Sequence, residues 1–211
     1  MNIIDLINKY NSDKGYQHGY SNIYFNFFEK LKLKKLNFLE IGIGTGESVN
    51  VWCDYFINSK IYMADIDDYS DIYKRDNLKI LTVDQSDSNS LRKLSIDIEN
   101  NLDIIIDDGG HAMDHQQLSL GILFQKLNND GFYFIEDLHT SNWDVDSFLY
   151  NQSLKISKDR KNTTLNVLKE FNNTGEFKSP FLEDSQNQYL SNNIKTIDFY
   201  CNDKLCLLTK K

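Results

Sequence analysis

The sequence is poor in the residues that punctuate or cross-link a chain. A single proline, Pro180, stands among 211 residues. With the abundance of Asn, Lys and Ile, this reads as coding bias more than function. Three cysteines, Cys53, Cys201 and Cys206, are an odd number and too few for a disulfide scaffold, which points to a reducing cytoplasm. No apolar run approaches the roughly 20 residues of a membrane span. The segment Met1-Asn2-Ile3-Ile4-Asp5-Leu6 has no basic flank and no long apolar stretch, so a secretory signal is not expected. Basic charge is also short. Lys and Arg number 23 against 31 Asp and Glu, a net charge of −8 with a pI near 5.0. Such a surface repels phosphate backbones, so nucleic acid is not expected as the main partner.

What is present is enough for a core. Forty percent of the residues are hydrophobic and 13% aromatic, and the length fits one domain with modest appendages. Short apolar runs recur, each ending in an acidic or glycine-rich turn, at 36–42, 60–66, 78–84, 102–108 and 131–137. They alternate little, as strands buried on both faces do. Helix-like segments lie between them at about 46–57, 88–100 and 113–127, the last with Leu118, Ile122, Leu123 and Leu127 on one face. Strand–helix alternation predicts a parallel sheet with helices on both sides. The end of the chain departs from this pattern. Runs at 194–200 and 205–209 flank Cys201-Asn202-Asp203-Lys204 and predict an antiparallel hairpin. The expected fold is α/β, Rossmann-like and doubly wound, with a mostly parallel seven-stranded sheet ending in that hairpin.

The first strand runs into Glu40-Ile41-Gly42-Ile43-Gly44-Thr45-Gly46-Glu47, a glycine loop that opens a helix. Gly42 and Gly44 let the backbone turn tightly and approach a ligand. A dinucleotide fingerprint needs a small residue at position 47. Glu47 is bulky and anionic at a helix N-terminus, where it repels a pyrophosphate. Glu40 suits a cationic ligand. Asp65, at the end of the second strand, is placed to accept both hydroxyls of a ribose. A nucleoside without a pyrophosphate fits best, and S-adenosylmethionine (SAM) is such a molecule. A tight turn with glycines for steric reasons alone is the plainer alternative.

These features resemble class I SAM-dependent methyltransferases over most of residues 30–140 and 194–209, because that family's sheet ends in an antiparallel seventh strand. A narrower likeness lies in Asp84-Gln85-Ser86-Asp87, in Ile106-Asp107-Asp108-Gly109-Gly110-His111, and in Ile135-Glu136-Asp137-Leu138-His139-Thr140-Ser141. These motifs, with Ser12-Asp13-Lys14-Gly15 and His18-Gly19-Tyr20 near the start, look like the metal-dependent sugar O-methyltransferases of macrolide biosynthesis, the macrocin and mycinamicin type. The resemblance implies contact of Asp84 and Gln85 with the adenine end of the cofactor; an Asx-type turn is the alternative there.

Asp108 lies just past the fourth strand, and Glu136 and Asp137 close the fifth. In the family's sheet those strands are neighbours, about 4.8 Å apart. Three carboxylates so close repel unless protonated or bridged by a cation. Hard oxygens without paired Cys or His favour Mg²⁺. The resemblance implies the same ligands: Asp108, Glu136 and Asp137. Solvated or helix-capping carboxylates are the alternative. His111 matches the family's general base, and imidazole titrates near neutrality. The implied reaction is direct displacement. Mg²⁺ lowers the pKa of an acceptor hydroxyl, His111 takes its proton, and the oxygen attacks the sulfonium methyl. His115 and His139 are competitors for the base.

Residues 1–35 are expected to form a helical or lid segment, and the polar, Asn-rich stretch 141–190 a lid or acceptor-binding insert within the single domain 1–211. Tyr16, Tyr20, Tyr24, Phe25 and Trp143 are candidates for an acceptor pocket, while Phe27 and Phe28 read as core of the first helix. The expected acceptor is a sugar or nucleotide-linked sugar. Homo-oligomerisation, with residues 1–24 reaching across subunits, rests on analogy alone. A catechol-type methyltransferase and a non-catalytic nucleoside-binding protein are the competing readings, and a NAD-linked dehydrogenase follows at a distance because of Glu47.

Overall fold

The computed structural model describes residues 1–141 and 160–211. Five parallel strands are β1 (Asn37–Ile41), β2 (Lys60–Asp65), β3 (Leu78–Thr82), β4 (Leu102–Asp107) and β5 (Leu127–Ile135). They are followed by β6 (Ile194–Tyr200) and β7 (Leu205–Lys210), in the sheet order β3-β2-β1-β4-β5-β7-β6. β7 runs antiparallel between β5 and β6. The predicted seven-stranded sheet and its closing hairpin are therefore present. The hairpin turns through three consecutive left-handed residues, Cys201, Asn202 and Asp203 (φ 53°, 56° and 64°).

Three short helices precede β1: α1 (Ile3–Lys9), α2 (Asp13–Tyr16) and α3 (Ser21–Phe28). Between strands lie α4 (Glu47–Tyr55), α5 (Ser88–Asp97) and α6 (Met113–Leu123), close to the predicted helices. The third ends earlier than its periodicity predicts. A 3-10 turn at Phe124–Lys126 leads into β5, where Leu127 pairs with Leu102. The expected insert over 141–190 divides. Residues 142–159, with Trp143, lie outside the described residues. Beyond them, α7 (Thr164–Thr174) and α8 (Asp184–Asn193) pack Val167, Leu168, Phe171 and Leu190 into the core beneath the sheet.

Alternation along the strands sorts the core into two layers. Leu39, Ile41, Tyr62, Ile105, Tyr133 and Leu208 face α5–α8. Phe38, Ile61, Met63, Ile104, Ile106, Phe134 and Leu207 face α1, α3 and α4. This parity decides where the acidic residues go. Glu40 continues the row of Phe38, Asp108 that of Ile104 and Ile106, and Glu136 that of Phe134. All three thus end on the layer of the N-terminal helices. Asp107 falls on the opposite layer with Ile105.

The N-terminal helices are core here. Tyr20, Tyr24 and Phe28 are fully buried, whereas Tyr16 is exposed. Phe28 touches the rings of Tyr24, Trp52, Phe56 and Phe134, and fastens α3 to the sheet. Phe28→Ala is expected to cost ~3–5 kcal/mol, measured by urea unfolding; a loss below ~1 kcal/mol would show that α3 lies outside the cooperative core.

The thiols are unpaired. Burial pushes the Cys53 thiol up to about 11 and that of Cys206 well above its ordinary value. Both stay protonated at pH 8, where the thiolate is the reactive form. Native protein is expected to label with a thiol reagent at Cys201 alone, and at all three cysteines in denaturant, counted by mass spectrometry.

Candidate active site

The strand order reverses at β1, with β2 on one side and β4 on the other. Open α/β sheets bind ligands at such a point, beyond the C-terminal strand ends. A cleft of about 420 Å³ lies there, lined by the glycine loop, Asp65, Asp84, Asp108, His111 and Asp137 among others. Its volume suits a small-molecule ligand.

Gly42 and Gly46 are required by the cleft wall. Gly42 has φ 95°, and a Cβ there would stand 2.0 Å from the carbonyl oxygen of Asp108. Gly46 has φ 90° and lies against the Tyr73 hydroxyl, 1.6 Å from where a Cβ would be. Asp65 Oδ2 accepts from the amides of Ile43 (2.6 Å) and Gly44 (3.4 Å), tying the loop to β2. Asp84 accepts from the amide and hydroxyl of Ser86 (2.8 and 2.7 Å), which hold its carboxyl below the usual range.

Gln85 lines the cleft, but both ends of its amide are engaged inside the protein. Nε2 donates to Asp107 Oδ1 (2.8 Å) and Ser119 Oγ (2.9 Å), and Oε1 accepts from the Gly110 amide (2.7 Å). Burial pushes the Asp107 carboxyl up to about 7, against the opposing pull of Gln85. Gln85 therefore braces the turn that carries Asp108 and His111.

The expected metal ligands share one pattern. Each has one oxygen held by an internal donor. Asp108 Oδ2 accepts from Lys14 Nζ at 2.5 Å. Glu136 Oε1 accepts from Lys14 at 2.7 Å and from the Tyr24 hydroxyl. Asp137 Oδ1 accepts from the Tyr20 hydroxyl at 2.7 Å, with His18 Nδ1 at 3.3 Å. Among the described residues, no hydrogen-bond donor engages Asp108 Oδ1, Glu136 Oε2 or Asp137 Oδ2. Asp108 Oδ1 and Asp137 Oδ2 each lie 3.8 Å from His111 Nε2. Asp108, His111 and Asp137 thus converge at the open side of the cleft. Glu136 is fully buried, and converges instead with Glu40 and Asp108. Both His111 and Asp137 have left-handed backbones (φ 53° and 54°), a strained conformation for such residues that clusters at functional sites.

Glu40 is fully buried too. Its Oε2 accepts from Ser48 Oγ and Trp52 Nε1, both at 2.8 Å, and Lys14 Nζ stands 3.0 Å from Oε1. A cationic partner for Glu40 was expected, and the one the fold supplies is Lys14. His115 lines the cleft, whereas His139 does not; burial lowers the His139 pKa, and its Nδ1 lies 4.0 Å from Asp137 Oδ1.

Lys14 carries no role in the sequence reading beyond its motif. Burial disfavours its charge, yet Asp108, Glu136 and Glu40 outweigh this and hold its pKa well above the ordinary value. Tyr20 and Tyr24, expected at an acceptor pocket, serve as hydroxyl clamps. Strand parity and the i, i+4 spacing of the two tyrosines were the signals available for these contacts.

No family profile matches the chain. A 2'-O-methyltransferase for rhamnosyl tetracenomycin from Streptomyces olivaceus is 33% identical over 156 residues, covering 71% of this chain and 41% of the relative. Demethylmacrocin O-methyltransferase from Streptomyces fradiae is 34% identical over 149 residues, 66% of this chain and 37% of that enzyme. The MycE methyltransferase of mycinamycin biosynthesis, solved with Mg, SAH and mycinamycin VI, superposes on the whole chain with a TM-score of 0.81 and 25% identity, matching 54% of that protein. The fold is that of a class I SAM-dependent methyltransferase, and its relatives include sugar O-methyltransferases. The chain spans about two fifths of the length of the curated relatives it matches.

Gln85→Ala would leave the buried Asp107 carboxyl without its amide donor, at an expected cost of ~1–3 kcal/mol in ligand-free protein. Unchanged stability in thermal or urea unfolding would mean that Gln85 acts on a ligand and braces nothing.

Proposed function

We propose that this chain catalyses SAM-dependent, Mg²⁺-assisted O-methylation of a hydroxyl on a sugar-containing small molecule. One observation carries the reading. Three carboxylates at the strand ends each have one oxygen clamped by the protein, and among the described residues no donor engages the other. Hard oxygens without a donor are what Mg²⁺ takes, with waters and substrate oxygens completing its shell. Asp108, Glu136 and Asp137 are the proposed ligands, as in the sequence reading. The similarity to sugar O-methyltransferases, and to MycE with its Mg and SAH, supports Mg²⁺ and SAM as the cofactors.

The cleft's charge fits the donor. Among the described residues, six carboxylates line it (Asp13, Glu47, Asp65, Asp84, Asp108 and Asp137), against one amine, the ion-paired Lys14. This suits a sulfonium and disfavours a pyrophosphate. The same surplus favours an uncharged glycoside over a nucleotide-linked sugar as acceptor. In the proposed arrangement Gly42 and Gly44 pass under the donor, Asp65 takes the ribose hydroxyls, and Asp84 faces the adenine end. Gln85 acts behind them as the brace.

Mg²⁺, when bound, supplies charge that lowers the pKa of an acceptor hydroxyl. His111 is the proposed base, receiving the proton at Nε2; in support, that atom lies on the cleft side, 3.8 Å from Asp108 Oδ1 and from Asp137 Oδ2. Thr140 Oγ1 donates to the Asp137 carbonyl at 2.8 Å and lies 3.2 Å from the His111 carbonyl, so one hydroxyl sits between the two strained turns. Holding both reactants in line contributes roughly 7–11 kcal/mol to catalysis, and the base about 10²–10⁴-fold. The described residues include no helix long and apolar enough to cross a membrane, and three free thiols fit a reducing cytoplasm.

His111→Asn is expected to lower kcat by about 10²-fold or more while leaving the Kd for S-adenosylhomocysteine unchanged by calorimetry. Turnover near the wild-type rate would remove His111 as the base. EDTA is expected to abolish methylation of glycosides, and added Mg²⁺ to restore it. A screen in which catechols turn over and glycosides do not would overturn the sugar assignment.

A further inference from the structure

The buried half of the carboxylate cluster already contains a cation. Lys14 Nζ lies 2.5 Å from Asp108 Oδ2, 2.7 Å from Glu136 Oε1 and 3.0 Å from Glu40 Oε1. These residues come from α2 and the ends of β1, β4 and β5, so the arrangement is made by the tertiary fold and by no local turn. The lysine side chain is 1% exposed, Glu136 1% and Glu40 0%. Glu40 Oε1 is buried and accepts no directed hydrogen bond, so the ammonium satisfies it by charge alone. An oxygen in that condition is one that any cation could serve. Glu40, Asp108 and Glu136 indeed bring one oxygen each within 4.8 Å of one another, the spacing of a ligand set.

α2 is built to deliver this charge. Gly15 follows Lys14, and a Cβ there would meet the Ile7 side chain at 2.7 Å. Only glycine lets α2 press so closely on α1. The Lys14 carbonyl accepts from the Tyr20 amide at 2.8 Å, tying the lysine to the residue whose hydroxyl clamps Asp137.

We propose that Lys14 is a built-in cation, a positioning residue that fills a buried cation site formed by Glu40, Asp108 and Glu136 and so confines exchangeable divalent metal to the outer carboxylate oxygens. This rests on the metal reading above for the outer ion alone. A fixed monovalent charge on the inner oxygens leaves Asp108 Oδ1 and Glu136 Oε2 as the oxygens that Lys14 does not occupy. It also keeps a divalent ion from settling in the interior, where it would draw those carboxylates away from the acceptor.

The test counts Mn²⁺ ions per chain by electron paramagnetic resonance, in wild-type protein and in Lys14→Met, whose side chain is apolar and of similar length. The variant is expected to bind one more ion than the wild type, with a larger rise in Tm on adding Mn²⁺. A folded variant that binds the same number or fewer overturns the proposal. The wild-type count tests the outer site separately: one ion supports it and none refutes it, whichever way the difference falls. Should Lys14→Met fail to fold without metal, refolding on addition of Mn²⁺ supports the proposal. Failure with and without Mn²⁺ passes the question to Lys14→Met combined with Glu40→Gln, which restores the inner charge balance. That protein is expected to fold and bind as many ions as the wild type; any other count overturns the proposal.

Discussion

A full positive charge is enclosed where β1, β4 and β5 end, and the geometry of the cleft follows from it. Moving an ammonium out of water is costly unless it is paired and hydrogen-bonded. Here three strands each contribute a carboxylate to it. The same pairing fixes those carboxylates, because each gives one oxygen to Lys14. Removing a partner from a buried pair typically costs 3–5 kcal/mol. The N-terminal helices are accordingly part of the site's foundation, with Lys14 on α2, Tyr20 beside it and Tyr24 on α3 all directed at carboxylates.

The opposite layer holds the site from behind. α6 is buried almost all round, and its polar residues there have work to do. Gln116 donates to the Glu136 carbonyl at 3.0 Å, Ser119 meets Gln85, and Gln85 holds Asp107 and Gly110. The turn bearing Asp108 and His111 is thus gripped from both faces of the sheet. This explains how His111 and Asp137 persist with left-handed backbones, a cost of order 1–3 kcal/mol each. A site held within fractions of an ångström by such supports is what in-line transfer between two bound reactants demands.

The fold was largely legible because its strands are apolar on both faces and end in acidic or glycine turns. The hairpin was legible from its short polar turn. The carboxylates at the strand ends were also visible, but their grouping by chain position placed Glu136 beside Asp137 without distinguishing the layers they face. Parity along β1, β4 and β5 makes the distinction: Glu40, Asp108 and Glu136 share a row, and Asp137 is turned away by its φ of 54°. Lys14 was less accessible. It sits 94 residues from Asp108, in a four-residue helix with no apolar period, so nothing local announces that its side chain runs inward. Gln85 was visible at the right strand end, but that its amide is spent on Asp107 and Gly110 depends on how closely β3, β4 and α6 pack. The helical periodicity around 154–171 is weak and reaches only part of α7, and α8 was masked by its polar composition, since few apolar residues suffice to cover one flank of the sheet.

The position of β7 has a consequence for how the chain acquires this architecture. β7 is the last strand in sequence but the penultimate one in the sheet, and it alone joins β6 to β5. Without residues 205–210, the flank of β5 has no neighbour and β6 nothing to pair with. β5 also carries Glu136 and Asp137 at its end. Closure of the sheet on the flank that carries Glu136 and Asp137 therefore rests on pairing between strands about 70 residues apart in sequence, a long-range contact that forms slowly compared with local ones.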